Sequence, residues 1–278
     1  MTELLITTPL CLIHWDGTRP NILQSGKQEE GNGNFTGITW DERAVYVACS
    51  QDFRYGVQIF SRKFTQGVFL CNDLHQTHQI LWANGGLHLC NTGKNRIEHW
   101  DGKSWTWTAF NPSPCDIDHL NGLWFDGRRF WVTEFRHRPE RPSVVRVCSD
   151  DWQLLQTLTV GPPIHNLYIE GNCMYNLVSR QPKGLLRTRL GTGNQKRLPV
   201  RGEENNLVRG LARTAGNWFV GLGRWEKERG DRHKGNAQVV ILDNGFREVD
   251  RIVIKDVGPT NDVRVIGEHD FAHNGVGW

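Results

Sequence analysis

The chain of 278 residues has no run approaching the roughly 18 apolar residues of a membrane-spanning helix, and no low-complexity or charged tract. The first of these absences sets aside helical membrane proteins, and the second sets aside disordered tails. Charge of one sign is also missing. Lys plus Arg number 33 against 30 Asp plus Glu, a net +3 that is too small to attract nucleic acid by bulk electrostatics. The start, MTELLITTPL, carries Glu3 and no basic segment, so it does not read as a secretion signal. Seven cysteines, an odd number without a C-x-x-C pair, predict reduced thiols at buried strand positions and a cytoplasmic setting. There is no H-E-x-x-H, no G-x-S-x-G and no P-loop, which removes zincins, α/β-hydrolases and Walker-type nucleotide binders.

What is abundant is turn chemistry and aromatic residues: 30 Gly, 11 Pro and 12 Trp. Five segments align, beginning at Thr36, His78, Asn121, His165 and Arg209, at spacings of 42, 43, 44 and 44 residues. Each is a short apolar strand, a turn holding Asp-Glu, Asn-Gly, Asp-Gly or Gly-Asn, and an alternating strand, which is the signature of a hairpin. Further strands follow each hairpin, as in RIEHWDGKSWTWTAF from Arg96, giving four antiparallel strands per repeat. That period and strand count predict an all-β chain, a single six-bladed β-propeller spanning 1–278. A sixth opening lies at Asn261, after a charged insertion, and its blade lacks later strands. The N-terminus supplies them: LLITT from Leu4 as a second strand, and His14–Gly17 repeating the HWDG of His99–Gly102. Residues 1–35 therefore complete the last blade and lead into the first, removing the open edge that an unclosed array would leave.

In a propeller the first strand of each blade lines the central channel, so the aligned starts converge on one mouth. They are polar: Thr36, His78, Asn121, His165 with Asn166, Arg209, and Asn261 with Asp262. His78, His165 and Asp262 suit a zinc- or manganese-like ion, and Asn121 and Asn261 offer oxygens that calcium prefers, so these five are the candidate ligands of a divalent metal. Arg96, Arg136, Arg180 and Arg224 fall on the same face by the repeat alignment, and their planar forks match a small anionic molecule. Glu134 is a candidate for proton transfer, and Arg209 for holding a carboxylate or oxyanion.

The segment HLNGLWFDGRRFWVTEF, His119 to Phe135, resembles the Asn-Gly-hydrophobic blade opening of six-bladed gluconolactonase, senescence-marker and strictosidine-synthase-like propellers. Together with VRGLARTAGNWFVGLGR it is also similar to a group of bacterial propeller proteins without an established activity. The first resemblance implies a divalent metal held by a Glu and two polar residues at blade openings, with Asn121 at the Asn-Gly position and Asn261 or Asp262 at the acidic one. His78 and His165, on alternate blades, resemble the zinc histidines of peptide-amidating lyases. Two functions follow as expectations: a metal-dependent hydrolase or lyase acting on a small anionic substrate, or a non-catalytic propeller whose arginine-rich face binds a ligand or protein.

Overall fold

A computed structural model describes residues 2–27, 30, 33–113, 115–135, 141–180, 183–224, 231 and 234–273. The strands form six antiparallel sheets of four. Blade one holds Ile38–Trp40, Ala44–Gln51, Arg54–Ser61 and Gln66–Cys71; blade two holds Thr77–Ala83, Gly86–Asn91, Arg96–Trp100 and Trp105–Thr108. Blade three runs from Leu120–Phe125 through Arg129–Glu134 and Ser143–Ser149 to Leu154–Gly161. Blade four comprises Ile164–Glu170, Cys173–Val178, Gly184–Arg189 and Gln195–Leu198, and blade five Asn206–Arg213, Asn217–Arg224, Ala237–Asp243 and Glu248–Ile254. Blade six begins with Asp262–Ile266 and is completed by the N-terminal strands Glu3–Thr7, Cys11–Trp15 and Pro20–Ser25. The closing register pairs Thr7 with Asp262 and Glu3 with Ile266. First strands touch in a ring, each meeting that of the next blade, and Asp262–Ile266 returns to Ile38–Trp40.

The duplicated HWDG occupies the same turn in blades two and six, and the reason is local. Asp101 accepts backbone N–H bonds from Lys103 and Ser104 at 2.8 and 2.7 Å, and Asp16 does the same for Thr18 and Arg19 at 2.9 Å each. This carboxylate takes the place of a backbone acceptor in the turn, and Gly17 and Gly102 supply the positive φ that follows it (92° and 95°). Strand alternation then gives each blade two apolar faces. Phe130, Val132 and Cys148 of blade three pack on Leu81, Cys90 and Ile97 of blade two, while Trp131, Val145 and Val147 face Leu167 and Leu177 of blade four. The core thus lies in the seams between blades. Cys11, Cys49, Cys90 and Cys148 are buried, and all seven cysteines are free thiols.

The first strands start at the mouth and end at the opposite, lower end, where the chain after Ile266 packs beneath the channel. Asp270, buried, accepts N–H bonds from Arg213 of blade five (3.1 Å), Val265 of blade six (3.0 Å) and Ala272 (3.0 Å). His273 reaches blade one, lying 2.6 Å from the Thr39 hydroxyl and stacked on Trp40 with ring centroids 3.9 Å apart. The same hydroxyl accepts from Trp82 N–H of blade two (2.8 Å). Burial, with Arg264 nearby, holds the imidazole neutral.

Candidate functional site at the channel mouth

Hydrogen bonding between first and second strands slips register at the mouth end of four successive blades: Thr77/Ile80, Leu120/Gly122, His165/Tyr168 and Val208/Leu211. An extra residue in a ladder bends the strand and re-aims side chains, and here it turns polar groups of an apolar strand into the channel. Asn166 and Gly210 adopt left-handed φ values of 49° and 80° at these slips. The result is a small cleft, open to solvent, lined by Thr36, His78, Gln79, Asn121, His165, Asn166, Arg209, Asn261 and Asp262. No lining residue is apolar. All five expected metal ligands and Arg209 are thus brought to one place.

Much of this polarity also ties neighbouring blades together, because adjacent first strands belong to different sheets and leave backbone groups facing one another. Gln79 Oε1 accepts from Leu123 N (3.2 Å), Asn166 Oδ1 from Gly210 N (2.9 Å) and Asp262 Oδ2 from Ile38 N (3.2 Å). Asn121 Nδ2 donates to Ile164 O (3.1 Å), Thr36 Oγ1 to His78 O (3.1 Å) and Asn261 Nδ2 to Phe35 O (2.7 Å). Buried backbone groups need such partners, so polar blade openings follow from the architecture as well as from any ligand.

Asn121 fixes the chemistry of His165. Its Oδ1 accepts from the Thr133 hydroxyl at 2.6 Å, and its Nδ2 lies 2.9 Å from His165 Nδ1. Rotating the amide by half a turn would set its oxygen against the Ile164 carbonyl, so the nitrogen must face both Ile164 and His165. His165 Nδ1 is therefore an acceptor, and the neutral ring carries its proton on Nε2. Asp262, 2 % exposed, pairs with Arg264 Nη2 at 3.2 Å and accepts from the N–H of Ile38 and of Val263 (3.0 Å). Its burial outweighs these attractions and pushes the carboxyl up to about 6. Arg264, 1 % exposed, reaches Leu211 O (2.8 Å), Val263 O (3.2 Å) and Ile38 O (3.3 Å), joining blades five, six and one. The oxygens of Asn121 and Asp262 are thereby engaged by the protein itself. Among the described residues no three His, Cys, Asp or Glu side chains cluster as a metal-holding group.

The other candidates lie off the cavity lining. Glu134 is fully buried and pairs with Arg146 at 2.5 Å. Arg96 pairs with Glu98 (2.5 Å) on its own strand and with Asp73 (3.4 Å) in the loop between blades one and two. Arg180 is exposed with its guanidinium 5.5 Å from the Phe135 ring, and Arg224 is exposed at a strand end. Arg136 lies outside the described residues. Sequence reasoning passed over Gln79, which follows His78 directly, and Arg264, a charge within the apolar strand DVRVI. It also passed over His119 as a site residue. This ring meets His78 (5.0 Å) and Phe135 (5.3 Å) beside the mouth, and Asp116 lies 2.9 Å from its Nδ1.

No protein-family model and no curated protein matches the sequence. Solved structures do. A chain of a nidogen/laminin complex superposes with a TM-score of 0.71 at 12% identity, covering 95% of this chain and 98% of that one. This protein is a six-bladed β-propeller. A protein of unknown function from Bacteroides caccae gives a TM-score of 0.69 at 12% identity, covering 96% and 99% of the two chains. A catalytically inactive virginiamycin B lyase from Staphylococcus aureus, solved with quinupristin, gives 0.54 at 10% identity over 84% of this propeller and 86% of the lyase. Such likenesses agree with the expected propeller resemblance at the level of fold.

Proposed function

We propose that the mouth binds a small anionic molecule and acts on it as a lyase. The observation that carries this reading is the cavity lining: nine polar side chains, with Arg209 as a cation and His165 held in a defined tautomer by Asn121. Arg209 would hold a carboxylate or an oxyanion of the substrate. His78 on the lining would take the proton removed from the substrate and return it to the leaving group, while the neutral His165 would hydrogen-bond a substrate oxygen through its Nε2–H. A lyase among the structural neighbours supports the reaction class.

A divalent ion, calcium, zinc or manganese, is an alternative to that role of His165, because Nε2 can ligate only once its proton is lost or moved to Nδ1 and Asn121 turns away; it is supported by His78 and His165 sharing one lining. Bound there it would polarise a substrate oxygen. Protein or peptide binding by the arginine-bearing face is the alternative use. It is supported by the exposed Arg180 and Arg224.

The test is a thermal-shift titration with acetate, citrate and inorganic phosphate, on the native chain and on Arg209→Gln. A rise in melting temperature that Arg209→Gln abolishes and Arg180→Gln leaves intact supports a mouth ligand. No rise with any anion, or loss only with Arg180→Gln, refutes it.

A further inference from the structure

Between blades two and three, away from the mouth, two histidines share one hydrogen bond. His88 Nδ1 and His99 Nδ1 lie 3.0 Å apart. His88 Nε2 sits 3.1 Å from Ala83 O, an acceptor only, so Nε2 carries the proton and Nδ1 its lone pair. His99 must then donate through Nδ1, which leaves its Nε2 to accept from the Thr108 hydroxyl at 3.0 Å. Each ring nitrogen has one role, and both imidazoles are neutral. A further proton on His88 Nδ1 would set N–H against N–H and break the link, and one on His99 Nε2 would leave an imidazolium in the seam with only the Thr108 hydroxyl to accept from it.

The rings are closed in by blade three. Trp152 lies 4.5 Å from His99 and 5.4 Å from His88, and Phe130 lies 4.6 Å from His88 and stacks on Trp152. The titratable and charged groups in this seam are the thiols of Cys90 and Cys148, both pushed up by burial, and Arg146 paired with Glu134. Glu98, next in sequence to His99, accepts from Asn91 on the neighbouring strand and from Arg96 on its own. Among the described residues no carboxylate pairs with either ring to stabilise an imidazolium. Burial brings His88 down to about 4, and burial together with His88 brings His99 down to about 3.

We propose that the His88–His99 pair makes the seam between blades two and three acid-labile, so that proton uptake opens it and disorders the mouth above. The same two blades carry His78 and Asn121. The bonds that join them at the mouth, from Leu123 N to Gln79, from Thr92 Oγ1 to Leu120 O (2.5 Å), and between Asn95 and Asp118 (3.0 Å), depend on the seam staying shut.

A group held neutral in the closed state and free to charge in the open state favours opening as pH falls below its ordinary value near 6.5. Between pH 7.5 and 5 the open population rises roughly 30-fold per histidine. The experiment is amide hydrogen exchange, corrected for the intrinsic pH dependence, on the native chain and on His88→Leu/His99→Leu. In the native chain, Gly86–Asn91 and Arg129–Glu134 should lose protection by that factor or more, while the Leu pair keeps it. Equal acid-dependent loss in both proteins overturns the proposal. Should the Leu pair fail to fold, imidazole NMR of the native chain decides. Resonances that stay neutral to pH 5 while the seam is closed support the proposal, and titration near 6.5 with the seam still protected overturns it.

Discussion

Replacing Arg264 with Met keeps most of the side chain's bulk in the channel and removes every donor. Three carbonyls, from Ile38, Leu211 and Val263, lose their partner, and Asp262 is left as a buried carboxylate without its counter-charge. Breaking a buried ion pair from one side costs about 3–5 kcal/mol, a large part of a total near 5–15 kcal/mol. At roughly 2–4 °C per kcal/mol for a large domain, the melting temperature should fall by roughly 6–20 °C. Asp262 makes the loss pH-dependent. Its folded-state value, already raised to about 6 beside Arg264, rises further without it, whereas the unfolded chain titrates near 3.8. Between those values the folded state binds the extra proton, so stability increases as pH falls through the window. Urea unfolding followed by tryptophan fluorescence should therefore show Arg264→Met recovering between pH 7 and 5, and the double variant Arg264→Met/Asp262→Asn recovering at pH 7. A single-variant loss below about 1 kcal/mol, or a double variant no better than the single one, would show that the pair does not join the blades as described.

Three further outcomes can be checked with purified protein. Gly210→Ala should lower stability by about 2 kcal/mol or more in urea unfolding, since the backbone is left-handed, and a Cβ would stand 2.9 Å from Val263 N. Asp270→Ala, which removes the acceptor of three backbone N–H groups beneath the channel, should cost about 2–4 kcal/mol and speed exchange of the Arg213 and Val265 amides. If His78 and His165 hold a divalent ion, adding zinc, manganese or calcium should raise the melting temperature, and His78→Ala/His165→Ala should abolish the rise. An unchanged native melting curve with all three ions rejects the metal component.

Blade number, strand order and the N-terminal completion of blade six were legible in the sequence, because each rests on short-range chemistry repeated at a fixed period. An aspartate that accepts two N–H groups within three residues builds its turn wherever it occurs, so HWDG marks the same corner in blades two and six. The convergence of His78, Asn121, His165, Arg209 and Asp262 was legible for the same reason, since strand openings in register must meet at one end of a channel. The direction each side chain takes was not. Whether Asn121 offers its oxygen to the channel depends on a carbonyl 43 residues away on the next blade, and Asp262 is governed by Arg264, Ile38 and the depth of both groups in the core. Glu134 and Arg96 belong to the mouth face by alignment, yet each meets an opposite charge inside its own blade, Arg146 on the neighbouring strand and Glu98 on the same strand. Hydrogen bonds and ion pairs between blades are set by register slips and by partners distant in the chain. A repeat pattern fixes where a strand begins, and only the closed ring decides which of its lone pairs remain for a ligand.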